Sequence, residues 1–186
     1  MSDKASKLLL HRHDAREMQQ LRDELLSVYA VVYADVLADP FFSAPRFWER
    51  LENYARGPGF SLVTGRLEGK LVGYSLGYRL PNESGWWRGF RGETDMTALS
   101  ENGERTFAVT QLMVLPDWQR RGYAKQLHDE LLSNRTEERA TLLVRPDNVP
   151  ARTAYLKWGW QQFGQVKPFS DSPVYDSLML PLSTRA

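Results

Sequence analysis

No cysteine occurs among the 186 residues. That excludes disulfides, thiolate-bound metals and a cysteine nucleophile together, and it fits a reducing compartment. No stretch approaches the roughly 18 consecutive apolar residues of a membrane span. The polar start, Met1 to Lys7, lacks the apolar centre of a signal peptide, so the expected location is the cytoplasm. Neither sign of charge dominates: 24 basic residues against 23 acidic ones leave a formal charge of +1. A nucleic acid or membrane surface is therefore not an expected partner. Internal repeats, low-complexity tracts and linkers are also missing, and the length fits one domain over residues 1–186. His11 and His13 have no cysteine and no paired carboxylates at ligand spacing beside them, so no metal site is expected.

What is present is an ordinary globular composition, 42% hydrophobic and 25% charged. Lys7 to His11 reads as a first strand. Asp14 with Glu17 has capping-box spacing, and Leu21, Leu25, Val28, Val32 and Val36 follow at helical period until Asp39-Pro40. Ser43 is placed to cap a second helix with Phe47, Trp48, Leu51 and Tyr54 on one face. Phe60 to Arg66 and Lys70 to Leu80 read as strands joined by a hairpin at Leu67-Glu68-Gly69. Pro81 to Gly103 has no period but holds Trp86, Trp87 and Phe90, and a loop that long is more often functional than idle. Then come a strand (Arg105 to Leu115), a helix (Arg121 to Asn134), a strand (Thr141 to Arg145) and a helix (Asn148 to Trp158) ended by Gly159. Trp160 to Val166 and Val174 to Pro181 are the last strands. The middle strand-helix-strand predicts one parallel pair inside an otherwise antiparallel sheet.

The stretch Gln119-Arg120-Arg121-Gly122-Tyr123-Ala124 stands between a strand and a helix. Its backbone N–H groups point together at a helix start, where they can hold phosphate oxygens. Gly122 and Ala124 keep large side chains away from such an anion. A P-loop would need a Gly-Lys-Ser/Thr ending, which is absent, and a mononucleotide-binding turn would normally follow the first strand. Preceded by Leu112-Met113-Val114-Leu115-Pro116, the stretch resembles the acetyl-CoA signature of the GNAT superfamily of N-acetyltransferases. Asn148, Ala151, Tyr155, Gly159 and Trp160 match that family's later helix and following strand, with Trp160 where Phe is usual. The likeness covers nearly the whole chain.

The resemblance implies a mixed α/β fold: a six- to seven-stranded, mostly antiparallel sheet, about four helices, and a central parallel pair splayed for CoA. It implies acetyl-CoA as cosubstrate and an enzyme that passes the acetyl group directly to an amine. Backbone amides from Arg120 to Lys125, including Tyr123, would hold the diphosphate, with charge added by Arg120, Arg121 and Lys125. Leu112, Met113 and Val114 would act through their backbone, one N–H polarising the thioester carbonyl, while Leu112 and Val114 side chains join the core. Tyr155 would protonate the leaving thiolate, since a phenol of pKa ~10 is well matched to a thiol. Asn148 would cap its helix and touch the CoA arm. Many relatives carry a Glu on the strand six residues before Val114; here that residue is Ala108. Glu93, Asp95, Glu101 and Glu104 are left as water-relay candidates or as plain solvated carboxylates. His128 fits a surface or packing role better than catalysis.

Acidic residues and aromatics in the Pro81 to Glu104 segment suit a cationic or heteroaromatic amine, making Trp86, Trp87 and Glu104 substrate-binding candidates. The same aromatics equally suit packing of the loop onto the sheet. A small-molecule amine is the expected acceptor, and a homodimer is an allowed assembly. Two alternatives stay open: acetylation of a protein N-terminus or lysine, and a non-catalytic acyl-CoA-binding module.

Overall fold

Strand β1 (Leu9–His13) begins two residues later than expected, because the segment that pairs with the next strand runs from Leu9↔Arg66 to His13↔Leu62. The structure is a computed structural model that describes residues 7–182. Asp14 closes a full capping box on α1 (Ala15–Gln20): its Oδ1 accepts from the Glu17 amide, and Glu17 Oε2 accepts from the Asp14 amide, both at 2.9 Å. The helical run is then interrupted at Leu21, and α2 (Arg22–Val32) ends before Val36. No glycine or proline marks the interruption. Met18 and Leu25 are both fully buried in one cluster, so two helices satisfy the apolar spacing as well as one.

A short turn, Pro40–Phe42, is capped by Asp39 and leads to α3 (Ala44–Ala55). Ser43 does stand at the cap position, but its hydroxyl donates to the Pro40 carbonyl at 3.0 Å rather than serving the helix. Phe47, Trp48 and Leu51 form the buried face, with Tyr54 packed partly buried beside them. β2 (Ser61–Leu67) and β3 (Lys70–Arg79) form the expected hairpin. Its two turn residues, Glu68 (φ 49°) and Gly69 (φ 81°), are both left-handed, the twist that matches paired strands.

The remaining elements are β4 (Phe90–Arg91), β5 (Thr106–Val114), α4 (Tyr123–Leu132), β6 (Arg139–Val144), α5 (Val149–Lys157), β7 (Gln161–Val166) and β8 (Tyr175–Pro181). Hydrogen-bonded neighbours run in the order β1-β2-β3-β5-β6-β8-β7-β4. This mostly antiparallel sheet has eight strands rather than six to seven: β4, pairing with β7, lies inside the loop expected to be irregular. Among the described residues five helices replace about four because the first is split. The predicted parallel pair is β5–β6, whose ladder stops at Val109↔Leu142 although β5 runs on to Val114 and β6 to Val144. Among the described residues no helix is long and apolar enough to cross a membrane.

The chain divides into two compact units. The first holds the chain up to Gly77 and Gln111–Asn134. Its core gathers Tyr29, Phe47, Leu62, Tyr74 and Met113 with the α1–α3 faces. α4 is tied to this unit at both ends of its packing face. A Cβ on Gly65 would stand 3.3 Å from Leu127 Cδ2, so glycine lets the helix approach β2. At the helix C-terminus the Arg12 guanidinium donates to the Glu130 carbonyl and to Ser133 Oγ, where a cation complements exposed carbonyls. The second unit holds Tyr78–Thr110 and the chain from Arg135. Its aromatic centre joins Trp87, Phe90 and Phe163, with centroids 5.2–6.2 Å apart.

Candidate active site

In the first unit, β5 ends at Val114 and the chain turns through Pro116–Trp118 into α4. The turn is fastened from several sides. The Leu115 amide donates to the Val72 carbonyl at 2.8 Å, and Gln119 Nε2 donates back to the Val114 carbonyl at 2.9 Å. Trp118 and Tyr123 pack against Leu8, Leu67 and Val72. Arg120 (φ 58°) and Gly122 (φ 81°, the N-cap of α4) are left-handed, which reverses the chain tightly enough to present the helix start outward. Gly122 brings no capping side chain, and the first turn of α4 carries no acidic residue. A Cβ at Gly122 would meet nothing within 4 Å. An exposed helix N-terminus with open space in front of it and no competing carboxylate fits an anion.

The cations expected around this turn divide. Arg120 and Arg121 are exposed, Arg121 with its guanidinium 5.0 Å from the Trp118 ring centroid. Lys125 instead reaches along the helix to Asp129, Nζ to Oδ1 2.6 Å, the i,i+4 pairing that helix geometry favours. Burial opposes ionisation of Asp129, but hydrogen bonds from Lys125 and His128 outweigh it and hold the carboxyl below its ordinary value. His128 is buried with Nδ1 2.9 Å from Asp129 Oδ1, and burial pushes its pKa down, as suits packing rather than proton transfer. On β5, Met113 and Val114 are buried while Leu112 is only half-buried. The expected core pair Leu112 and Val114 is thus corrected to Met113 and Val114. Both faces of the strand are covered there, so two consecutive residues can be buried.

In the second unit, α5 carries Tyr155. Asn148 caps the helix, accepting from the Ala151 amide at 3.3 Å. The other end is a Schellman turn about Gly159 (φ 96°): Gly159 N–H donates to Leu156 O and Trp160 N–H to Tyr155 O, each at 3.1 Å. Tyr155 is 9% exposed, with Trp158 and Trp160 edge-on to its ring at 5.6 and 6.0 Å. Ala108, where relatives carry a carboxylate, is fully buried beside Leu80 and Trp87.

Glu101 departs most from expectation. It was expected as a solvated or water-relaying carboxylate, yet its side chain is 1% exposed. Its Oε1 accepts from Trp87 Nε1 (3.0 Å), Thr106 Oγ1 (2.9 Å) and Arg139 Nη2 (3.1 Å). Burial pushes the Arg139 pKa down, against the hydrogen bond it donates to Glu101, which raises it. Arg105 adds hydrogen bonds to the Thr97 and Ser100 carbonyls, at 2.9 and 3.0 Å, so two arginines at strand starts hold the end of the loop. Trp87 is buried and Trp86 half-buried, whereas Glu93 and Glu104 are exposed. Asp95 is also exposed and caps Thr97. Trp87 is therefore engaged in packing through both ring and N–H. Trp87→Phe should lower unfolding free energy by about 1–3 kcal/mol, because buried Glu101 loses a donor and the site loses volume. Urea denaturation checks this, and an unchanged midpoint would contradict it.

No curated protein matches the chain's sequence. Among solved structures it is similar to the diaminobutyrate acetyltransferase of Paenibacillus lautus in complex with L-2,4-diaminobutyric acid and coenzyme A. The TM-score is 0.61 at 16% identity, covering 95% of this chain and 96% of that one. It is similar too to the PaiA N-acetyltransferase of Thermoplasma acidophilum in complex with coenzyme A (TM-score 0.58, 9% identity, 95% and 99% covered). A third is the aminoglycoside N-acetyltransferase AAC(6')-Iy in complex with CoA (TM-score 0.60, 12% identity, 92% and 99% covered). At these identities the likeness is one of fold. The model of the acetyltransferase (GNAT) family matches residues 18–160, and the chain belongs to that family of acetyltransferases.

Proposed function

We propose that this protein transfers an acetyl group from acetyl-CoA to a primary amine of a small molecule, by direct attack within a ternary complex. The observation that carries the reading is the start of α4: a left-handed, side-chain-free cap with open space before it and no acid in the first turn. Amides from Arg120 to Lys125 hold the diphosphate, with Arg120 and Arg121 supplying charge. The Lys125 side chain is not needed for this, since it is paired with Asp129. Backbone of Leu112, Met113 and Val114 binds the acyl arm, one N–H stabilising charge on the carbonyl oxygen. Asn148 contributes to the same arm from its cap position.

The neutral amine attacks the thioester carbonyl carbon, the C–S bond breaks, and Tyr155 gives its proton to the departing thiolate. Ala108 offers no carboxylate and Glu101 is held in its ion pair, so the amine proton leaves to water, with exposed Glu104 the relay at hand. Half-buried Trp86 and exposed Glu104 contact the acceptor, while Trp87 acts from behind through packing. A cysteine-free chain accords with a cytoplasmic setting. That similar folds are recorded with diaminobutyric acid or named for aminoglycosides supports an amine of this size.

The test is thiol release from acetyl-CoA over a panel of diamines, amino sugars, polyamines and peptides. Turnover with small amines is expected. Tight acetyl-CoA binding with no turnover on any member would favour the binding-module reading, to which the missing strand carboxylate lends weight. Turnover on peptides alone would move the acceptor to protein.

A further inference from the structure

We infer that Arg152 and Asp176 are positioning residues for the Tyr155 hydroxyl, an inference that rests on the acid role proposed for Tyr155. α5 has nine residues, and Tyr155 is its only buried one. A helix with one buried side chain has little apolar surface to fix its seat on a sheet. Its caps set the helix ends but are local to the chain from Asn148 to Trp160.

Arg152 adds an ionic tie to the strands. Arg152, one turn before Tyr155, donates from Nε to Asp176 Oδ2 at 2.9 Å and from Nη2 to Gln162 Oε1 at 3.2 Å. Asp176 lies in β8, paired with Val144 of β6 on one side and Gln165 of β7 on the other. Its side chain is 9% exposed, and its second oxygen accepts from Gln165 Nε2 at 3.1 Å. Gln162 in turn donates to the Gly164 carbonyl at 2.8 Å, where the β7–β8 register shifts. One guanidinium fork thus holds α5 to two strands, and a buried carboxylate depends on it. A lysine would keep the charge but lose the fork. Proton transfer tolerates little displacement: a shift of about 1 Å lowers rate by on the order of 10²-fold.

Arg152→Lys and Asp176→Asn are made singly and again in a Tyr155→Phe background, with kcat, acetyl-CoA KM and melting temperature measured for each. In the parent background each should lower kcat about 10- to 100-fold with acetyl-CoA KM within about twofold, because geometry and not binding is disturbed. With Phe at position 155 the same substitutions should have no further effect on kcat. Arg152→Lys keeps a cation beside Asp176, so it carries the test if Asp176→Asn folds poorly. Equal losses in both backgrounds, or unchanged kcat in the parent, overturn the positioning role alone. A silent Tyr155→Phe overturns this inference together with the acid role.

Discussion

Tyr155→Phe should lower kcat by roughly 10²–10⁴, the range lost with a general acid, while acetyl-CoA affinity should stay near the parent value. The substitution removes one oxygen and keeps the ring that packs edge-on against Trp158 and Trp160. The backbone pins are also untouched, because the Schellman turn uses the Tyr155 carbonyl and not its side chain. A melting curve run beside the kinetics separates a loss of folding from a loss of chemistry. The loss belongs in the chemical step. A thiolate expelled without a proton is a worse leaving group, so the tetrahedral intermediate returns to reactants more often. A thioester with a more acidic leaving thiol needs less help and should narrow the gap between variant and parent. Single-turnover thiol release reads both effects. Equal rates for Tyr and Phe at position 155 would remove the residue from the mechanism.

The caps of α5 are legible in the sequence and the burial of Glu101 is not, because the two signals act over different distances along the chain. The capping bonds of Asn148 and Gly159 stay within one helix, so capping and left-handed preferences appear in the order of residues. The hairpin at Glu68 and Gly69 is legible for the same reason. Glu101 looks like any loop acid until Arg139, 38 positions later, meets it across a closed loop. β4 is similar: its pairing with Gln165 and Val166 and the seating of Phe90 over Gly164, where a Cβ would stand 2.5 Å from Phe90 Cζ, involve residues more than 70 positions apart. The interruption at Leu21 carries no Gly or Pro because the core accepts Met18 and Leu25 from two helices. Lys125 is a different case. Asp129 stands four residues on, the spacing at which helix side chains meet, so this pairing is legible in the sequence.

Gly122→Glu is expected to abolish measurable acetyl-CoA binding and with it all turnover. Three effects add at one atom. A side chain at φ 81° strains the backbone by about 1–2 kcal/mol. Its methylenes fill the space before the α4 amides, which the protein itself leaves open to at least 4 Å. Its carboxylate then places negative charge at the positive end of the helix, where it can take the amides that would bind diphosphate. The last effect is the largest, because it both repels the ligand and satisfies its donors. Gly122→Ala separates the contributions. It carries the strain but no charge, and its Cβ meets no protein atom, so stability should fall by about the same 1–2 kcal/mol with a smaller loss of affinity. Titration calorimetry with acetyl-CoA and with desulfo-CoA, alongside thermal unfolding, measures each part. Affinity retained by a folded Gly122→Glu protein would place the diphosphate away from the start of α4 and take the cosubstrate assignment with it.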